Sequence, residues 1–240
     1  MTLFWTRTWD ALAGALFPTA CVSCGDLVSA PDPPLCQKCW GLVPLIRGPV
    51  CRCGAPLPES AGADECGRCR RGRSAILEGV SLGVYAGPLR DCVVALKYGG
   101  RHRTATRLSL RLLENDRCRR ILHASDVMVG VPLHPEREKR RGFNQAHLLA
   151  RALGSLCGLG VSRGLVRTRN TSSQTALSAG ARRRNVRSAF AGGFDPALVG
   201  AAVALVDDVT TTGATLRECA ATLLACGAKE VRSITVARAE

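Results

Sequence analysis

Residues 203–215 read VALVDDVTTTGAT, and more of the fold can be argued from this stretch than from any other. A short apolar run ends in two acids, Asp207 and Asp208, and a threonine- and glycine-rich turn follows them. Open α/β sheets bind their ligands at the carboxyl ends of parallel strands. The stretch therefore predicts a buried strand, a ligand-binding turn and a helix in direct succession.

The turn at residues 209–215 has the composition of an anion cradle. Backbone N–H groups at a helix N-terminus bind phosphate, threonine hydroxyls add donors, and Gly213 lets the backbone come close. Asp207 and Asp208 would repel a phosphate, so their suitable partners are sugar hydroxyls, with Mg²⁺ nearby. Together these groups describe a pocket for ribose 5-phosphate. The alternative, an Asp-rich N-cap of an ordinary helix, explains one Asp and one Thr but not the whole string.

From about residue 76 onward the chain alternates between strand and helix patterns. Short apolar runs predict strands at 80–85, 126–131, 165–167, 203–206 and 231–237, and helical spacing predicts helices at 89–96, 107–113, 144–156 and 214–226. This alternation is typical of an α/β fold with an open, mostly parallel sheet flanked by helices. Residues 168–193 show no period, which predicts a long loop of the kind that often carries function.

Eight of the thirteen cysteines form two groups of four near the N-terminus. The groups are Cys21, Cys24, Cys36 and Cys39, then Cys51, Cys53, Cys66 and Cys69. The first has two Cys-x-x-Cys pairs, which is the spacing of a zinc ribbon. In the second, Cys51-x-Cys53 is one residue short, so both a strained zinc site and a degenerate site without metal remain open. Closed four-cysteine sites are structural, so we predict one or two structural zinc ions.

The N-terminus and the charge bear on localisation and partners. Residues 3–17 carry apolar side chains at helical spacing and predict an amphipathic helix, while no run is long enough to span a bilayer, so we expect no stable membrane insertion. The net charge is +14, and basic residues cluster at 68–73, 137–141 and 182–184. Such a surface favours polyanions or small phosphorylated ligands, although an arginine-rich proteome would also produce it. Aromatic residues make up 4% of the chain, so we expect weak, salt-dependent binding of single-stranded DNA.

The stretch at 203–215 resembles the signature with which type I phosphoribosyltransferases bind phosphoribosyl pyrophosphate (PRPP). Further stretches extend the likeness: LKYG at 96–99, DVMVGVPLHPER at 126–137, RGFNQA at 141–146 and QTAL at 174–177. In this order, behind paired cysteines, they resemble the ComF family of competence-associated proteins over nearly the whole chain. The departure is Cys51-x-Cys53, where that family usually has Cys-x-x-Cys.

The resemblance implies a domain organisation and a set of site residues. The domains are an amphipathic helix at 1–20, a zinc-ribbon module at 21–73, a linker or hood at 74–100 and a phosphoribosyltransferase-like domain at 101–240. Asp207 and Asp208 would hold the ribose, with Mg²⁺. The 5-phosphate would bind at Val209, Thr210, Thr211, Thr212, Gly213, Ala214 and Thr215. The pyrophosphate would bind at Pro132, Leu133, His134, Arg137, Arg141, Arg167, Gln174, Arg184 and Asn185. Of these, Gln174, Arg184 and Asn185 belong to a flexible loop. A surface or packing role is the alternative for each.

The resemblance also implies a cytoplasmic protein that binds PRPP and assists DNA uptake, with competence or recombination proteins as further partners. Three activities remain open on the sequence. The protein could transfer ribose 5-phosphate to an acceptor, handle single-stranded DNA with PRPP as a regulatory ligand, or sense PRPP without turnover. We expect only residues 74–100 and the zinc module to cover the pocket, and neither has a motif that would identify an acceptor base.

Overall fold

The computed structural model describes residues 19–28, 34–58, 65–71, 75–98, 102–169, 189–193 and 195–239. The predicted N-terminal helix lies outside these residues. So do Gln174, Arg184 and Asn185 of the predicted flexible loop, and with them the arginine cluster at 182–184.

Nine strands lie within the described residues. In chain order they are β1 (Thr19–Ala20), β2 (Leu27–Val28), β3 (Gly79–Val84), β4 (Val127–Gly130), β5 (Gly160–Ser162), β6 (Leu165–Arg167), β7 (Phe190–Gly192), β8 (Ala202–Thr210) and β9 (Glu230–Arg238). Five of them form the central sheet in the spatial order β3-β9-β8-β4-β5, and every pair in it is parallel. The predicted open parallel sheet is confirmed, and β8 with its acid pair lies at its centre.

Eight α-helices accompany these strands in the described part of the chain. They are α1 (Gln37–Gly41), α2 (Gly67–Arg70), α3 (Gly87–Tyr98), α4 (His102–Leu113), α5 (Asp116–His123), α6 (Pro135–Arg141), α7 (Gln145–Cys157) and α8 (Ala214–Ala225). Local signals set several ends: the side chain of Asn144 caps the start of α7, and Gly158 ends it with a left-handed φ of 74°.

Helices cover both faces of the sheet, as a parallel sheet requires. Neighbouring residues of β8 belong to different core clusters: Val203 and Leu205 pack with α8 on one face, and Ala204 and Val206 pack with α3, α4 and α7 on the other. All four are buried, which explains why this strand is a continuous apolar run rather than an alternating one.

The cysteine-rich module packs against the outer edge of the sheet. Its residues 43–46 run antiparallel to β3, with Val84 N donating to Pro44 O at 2.8 Å and Ile46 N donating to Leu82 O at 3.1 Å. A Cβ on Gly83 would lie 2.6 Å from Pro44 O, so only glycine permits this close approach. The module thus covers an edge that would otherwise expose unpaired backbone groups.

Residues 79–98, part of the predicted linker or hood, form β3 and α3 of the main sheet and its helical layer. The division into domains remains a prediction. Strands β6 and β7 pair antiparallel beside the sheet, and the segment between them contains the predicted flexible loop. Among the residues described, no helix combines the length and the apolarity that crossing a membrane requires.

Candidate functional site

A cavity of about 400 Å³ opens at the carboxyl ends of β4 and β8. The predicted residues that line it are Pro132, Leu133, Arg137, Arg141, Arg167, Asp207, Asp208, Val209, Thr210, Thr211, Gly213, Ala214 and Thr215. Residues from three separate parts of the chain, 132–141, 167 and 207–215, therefore meet at one edge of the sheet. Open α/β sheets bind their ligands at this edge, outside the carboxyl ends of the strands.

Of the predicted site residues that the structure describes, Thr212 and His134 do not line the cavity. Thr212 is buried, and its Oγ1 accepts a hydrogen bond of 3.3 Å from Ala214 N, so it shapes the turn. His134 caps helix α6, where its Nδ1 accepts from Glu136 N at 3.4 Å. The structure thus gives both residues local structural contacts in place of a position on the cavity wall.

The turn between β8 and α8 is built as an anion site. Gly213 caps α8 with a left-handed φ of 71°, a backbone conformation that residues with a side chain rarely adopt. The first backbone N–H groups of α8 have no partner inside the helix, and the helix dipole favours a negative group there. The hydroxyl of Thr210 is buried at the same wall without a hydrogen-bond partner in the described part of the chain. The turn therefore offers donors to a phosphate.

The acid pair lies beside this turn and is only partly exposed. Asp207 Oδ1 accepts from Asp208 N at 2.9 Å, and Asp208 Oδ1 accepts from Val209 N at 2.7 Å. Burial raises the pKa of Asp207 well above its usual range and the charge of Asp208 raises it further, while Lys97 acts in the opposite direction. The two carboxylates thus share a site in which a nearby cation helps to keep both ionised.

Lys97 and Tyr85 line the cavity and were not among the predicted site residues. Lys97 belongs to α3, and its Nζ lies 3.2 Å from Asp208 Oδ2. Tyr85 directly follows β3. The stretch LKYG contributed to the family resemblance, but nothing in its composition indicated a contact with residue 208.

Three arginines, Arg137, Arg141 and Arg167, form a further part of the cavity wall. Arg167 ends β6 and is buried, and its guanidinium lies 5.4 Å from the ring centre of Phe190. Burial lowers the pKa of Arg167, and the charge of Arg137 lowers it further, which indicates that cations crowd together here. Guanidinium groups remain protonated at neutral pH, so this wall is positive and suits a multiply charged anion.

Asn144 and Gln145 also line the cavity, and each makes a hydrogen bond to another part of its wall. Asn144 Nδ2 donates to Val131 O at 3.0 Å, which ties the start of α7 to the end of β4. Gln145 Oε1 accepts from Arg141 Nη1 at 2.5 Å and so orients that guanidinium. Both residues belong to the stretch RGFNQA, yet they were not predicted as site residues.

The cysteines gather into two sites apart from this pocket. Within each group of four, the sulfur atoms lie within 4.8 Å of one another. The Sγ atoms of Cys24 and Cys36 are 3.7 Å apart, and those of Cys53 and Cys66 are 3.9 Å apart. Tetrahedral zinc with Zn–S bonds of about 2.3 Å requires sulfur atoms about 3.8 Å apart. Both donor sets therefore fit structural zinc.

The short spacing at Cys51-x-Cys53 is accommodated by a tighter turn. In the first group Gly25 N donates to Cys21 O, four residues back, whereas in the second Gly54 N donates to Cys51 O, three residues back. Gly54 has a φ of 75° and packs directly on Gly79. The one-residue deletion is thus no obstacle to a second site.

The predicted arginine clusters have different surroundings. Arg70 and Arg71, which end the second cysteine group, are exposed, as are Lys139 and Arg140. Arg137 and Arg141 instead belong to the pocket wall, so the cluster at 137–141 divides between the pocket and the surface.

Two family models match the chain. Residues 12–70 match the double zinc ribbon domain, and residues 139–240 match the phosphoribosyl transferase domain. These ranges coincide with the cysteine-rich module and with the larger part of the pocket.

Named relatives match both parts together. The DNA utilization protein YhgH of Escherichia coli K12 is 39% identical over 202 residues, which are 82% of this chain and 87% of the relative. Competence protein F of Haemophilus influenzae is 31% identical over 229 residues, 93% of this chain and 98% of the relative. The structure of the glutamine PRPP amidotransferase from B. subtilis aligns with a TM-score of 0.40 at 21% identity, over 60% of this chain and 30% of that one.

Proposed function

Because this chain belongs to the ComF family, which joins a double zinc ribbon to a phosphoribosyltransferase domain, we propose that its pocket binds PRPP and that the protein assists the handling of incoming DNA in the cytoplasm. One observation carries the proposal: the acid pair, the Thr/Gly turn and three arginines line a single cavity. PRPP has sugar hydroxyls between two phosphorylated ends, and the pocket has a suitable group for each part.

Each part of PRPP would meet its own set of residues. The 5-phosphate would accept hydrogen bonds from the turn at 209–215 and from the N-terminus of α8. The ribose hydroxyls would donate to Asp207 and Asp208. The pyrophosphate would bind Arg137, Arg141 and Arg167, since guanidinium forks match phosphate oxygens. Gln174, Arg184 and Asn185 remain proposed partners on the loop that follows β6.

Magnesium would accompany the ligand. Carboxylates such as those of Asp207 and Asp208 are hard oxygen ligands, which Mg²⁺ prefers, together with oxygens of the phosphates. When bound, Mg²⁺ would neutralise part of the charge on the pyrophosphate. The chain's own contribution would be to bind and orient the ribose and to place arginines around the leaving end.

The proposed DNA role rests on charge and on the family. The chain has a net charge of +14, and basic side chains are exposed on the second ribbon and on α6. Exposed lysines and arginines bind the phosphates of DNA rather than its bases, so we expect binding that is weak, independent of sequence and sensitive to salt.

Competition experiments test whether the pocket recognises PRPP by its parts. Mg-PRPP bound to the zinc-loaded protein should be displaced both by ribose 5-phosphate and by pyrophosphate, each at higher concentration, because each fills one half of the site. Displacement by pyrophosphate alone would contradict the assignment of the 209–215 turn as the 5-phosphate site.

A further inference from the structure

A groove lies between the first cysteine group and helix α4. Its volume is about 830 Å³, roughly twice that of the cavity proposed to bind PRPP, and the two have no lining residue in common. On the side of the cysteine-rich module it is lined by Leu27, Val28, Leu35 and Leu45, and α4 contributes Arg107 and Arg111. The groove is therefore a separate feature of the molecule.

Apolar side chains of this groove are open to water. Leu27 is 71% exposed, and Leu45 is exposed as well. A cavity of about 500 Å³ shares Trp40 and Arg111 with the groove and adds Leu110 of α4, which is 38% exposed. Neighbouring apolar side chains that remain exposed in this way mark a contact surface.

Arg111, which lies between the two cavities, already has partners. Its Cζ lies 4.8 Å from the ring centre of Trp40, and its Nη1 lies 2.9 Å from Glu114 Oε2. A guanidinium that is stacked on an aromatic ring and paired with a carboxylate is less available to the phosphates of DNA. The exposed leucines of the groove thus suit an apolar partner.

The described part of the chain begins in the wall of this groove. In the ladder between β1 and β2, Thr19 pairs with Val28 and Ala20 pairs with Leu27. Val28 and Leu27 both line the groove, so the residues that precede Thr19 are joined to the chain at the groove itself. A segment tethered there is present at a high effective concentration, which favours it over a partner from solution.

The sequence that leads into β1 has the apolar pattern that such a groove requires. Trp5, Trp9, Leu12 and Leu16 recur at helical spacing within the predicted amphipathic helix at 3–17. A helix of this length spans about 22 Å. The stretch that matches the double zinc ribbon domain begins at residue 12 and so includes two of these four side chains. The adjoining sequence therefore offers an apolar helix face of its own.

We propose that residues 3–17 pack as an amphipathic helix into the groove between the first cysteine group and α4, with their apolar face against Leu27, Leu45 and Leu110. The helix completes the core of the cysteine-rich module. It also covers the first cysteine group on the side where Cys36 lines the groove. This packing does not depend on PRPP.

Hydrogen–deuterium exchange of the zinc-loaded full chain, followed by mass spectrometry, tests this packing. In wild type, the backbone amides of residues 5–17 should exchange at least about tenfold more slowly than in a free peptide of residues 1–18. Leu27→Glu changes the groove on the side of the module, and Leu110→Glu changes it on the side of α4. Each should reduce the protection by about tenfold or more, because it replaces an apolar contact with a buried charge.

Val199→Glu and Leu156→Glu are the matched controls. Val199 resembles Leu27 in exposure, Leu156 resembles Leu110 and is also helical, and neither control residue lines the groove. The controls should therefore leave the protection of residues 5–17 unchanged. Zinc content is measured in all four variants, and the groove is tested from two elements so that one variant suffices if the other fails to fold.

Two results would overturn the proposal directly: exchange of the segment at the rate of the free peptide in wild type, or equal protection in the groove variants and their controls. Other occupants of the groove give distinct results. Protection that disappears on dilution, together with a dimer seen in sedimentation, would assign the groove to a second copy of the chain. Protection that appears only with anionic lipid vesicles would assign the segment to a membrane surface. Either of these results would also overturn the proposal.

Discussion

Ser23 Oγ donates a hydrogen bond of 2.8 Å to Asp91 Oδ2, and this contact joins the turn between Cys21 and Cys24 to helix α3. The same helix presents Lys97 to the acid pair at its other end. Cys21 and Cys39 are buried in one core cluster with Leu89 of this helix. The first cysteine group is thus a part of the main core, and its metal site and the helix that lines the pocket are supported by common packing.

This shared packing predicts that zinc stabilises the whole chain. Both groups of four thiols fit a tetrahedral ion, so metal analysis should find two zinc ions per chain. Chelation should lower the unfolding temperature of the pocket domain as well as that of the ribbons, because binding energy at a structural metal site is folding energy.

Substitution of one ligand tests the second site by itself. Cys53→Ser should reduce the content to one zinc, whereas Cys157→Ser, at an exposed cysteine outside both groups, should leave it unchanged. A content of one zinc in wild type with no change in Cys53→Ser would refute the second site.

Gly25 and Gly54, each of which directly follows a cysteine pair, offer a matched pair of variants. Gly54 has a φ of 75°, and a Cβ there would lie 2.9 Å from Gly79 O. Gly25 has a φ of 80°, but a Cβ there meets no atom within 4 Å. Both Ala variants carry backbone strain of about 1–2 kcal/mol, and Gly54→Ala adds a clash with backbone. In denaturant unfolding, Gly54→Ala should therefore lose clearly more stability than Gly25→Ala, and equal losses would argue against the tight packing of residue 54 on β3.

The pyrophosphate wall predicts a selective loss of affinity. Arg167→Met should weaken PRPP and pyrophosphate by about tenfold to a hundredfold, since a charge-assisted hydrogen bond contributes about 1.5–3 kcal/mol. Ribose 5-phosphate should bind as it does to wild type, because it does not reach this wall. Calorimetric titration of all three ligands separates the outcomes, and an equal loss for ribose 5-phosphate would contradict the placement of the pyrophosphate.

The exposed basic residues of the second ribbon predict a change in the salt dependence of DNA binding. Arg70→Gln/Arg71→Gln should lower the slope of log affinity against log salt by about 0.7 for each lost phosphate contact on single strands. PRPP binding should be unchanged. The control is Arg90→Gln/Lys229→Gln, which removes the same charge elsewhere on the exposed surface. Equal slopes in both double variants would mean that DNA does not contact the ribbon at these residues.

The central strand and its turn could be predicted from sequence because their signals are contiguous. Residues 203–215 contain the strand, the acids, the turn and the helix start within one run; in the structure β8 extends through both acids to Thr210, and the turn and α8 follow. Lys97 could not be predicted in the same way. It reaches Asp208 only because β3, which precedes α3, pairs with β9, and β9 pairs with β8. That strand order depends on packing between residues far apart in the chain.

Two further differences between the sequence-based predictions and the structure, at His134 and at Cys51-x-Cys53, have local structural causes. His134 was predicted to bind phosphate, but a side chain just before a helix satisfies orphan N–H groups, and this residue caps α6. The doubt about Cys51-x-Cys53 arose from spacing alone. The shortened turn depends on Gly54 packing against Gly79, a contact between two segments that sequence spacing does not reveal.

The most direct test of the account is calorimetric titration of zinc-loaded protein with Mg-PRPP, comparing wild type with Asp207→Asn/Asp208→Asn. Asp116→Asn, on an exposed residue of α5, is the control for loss of a carboxylate. We predict saturable binding at one site per chain in wild type and in the control, and loss of binding in the double variant with folding and zinc content unchanged. Absence of binding in well-folded wild type, or undiminished affinity in the double variant, would contradict the assignment of this pocket to PRPP.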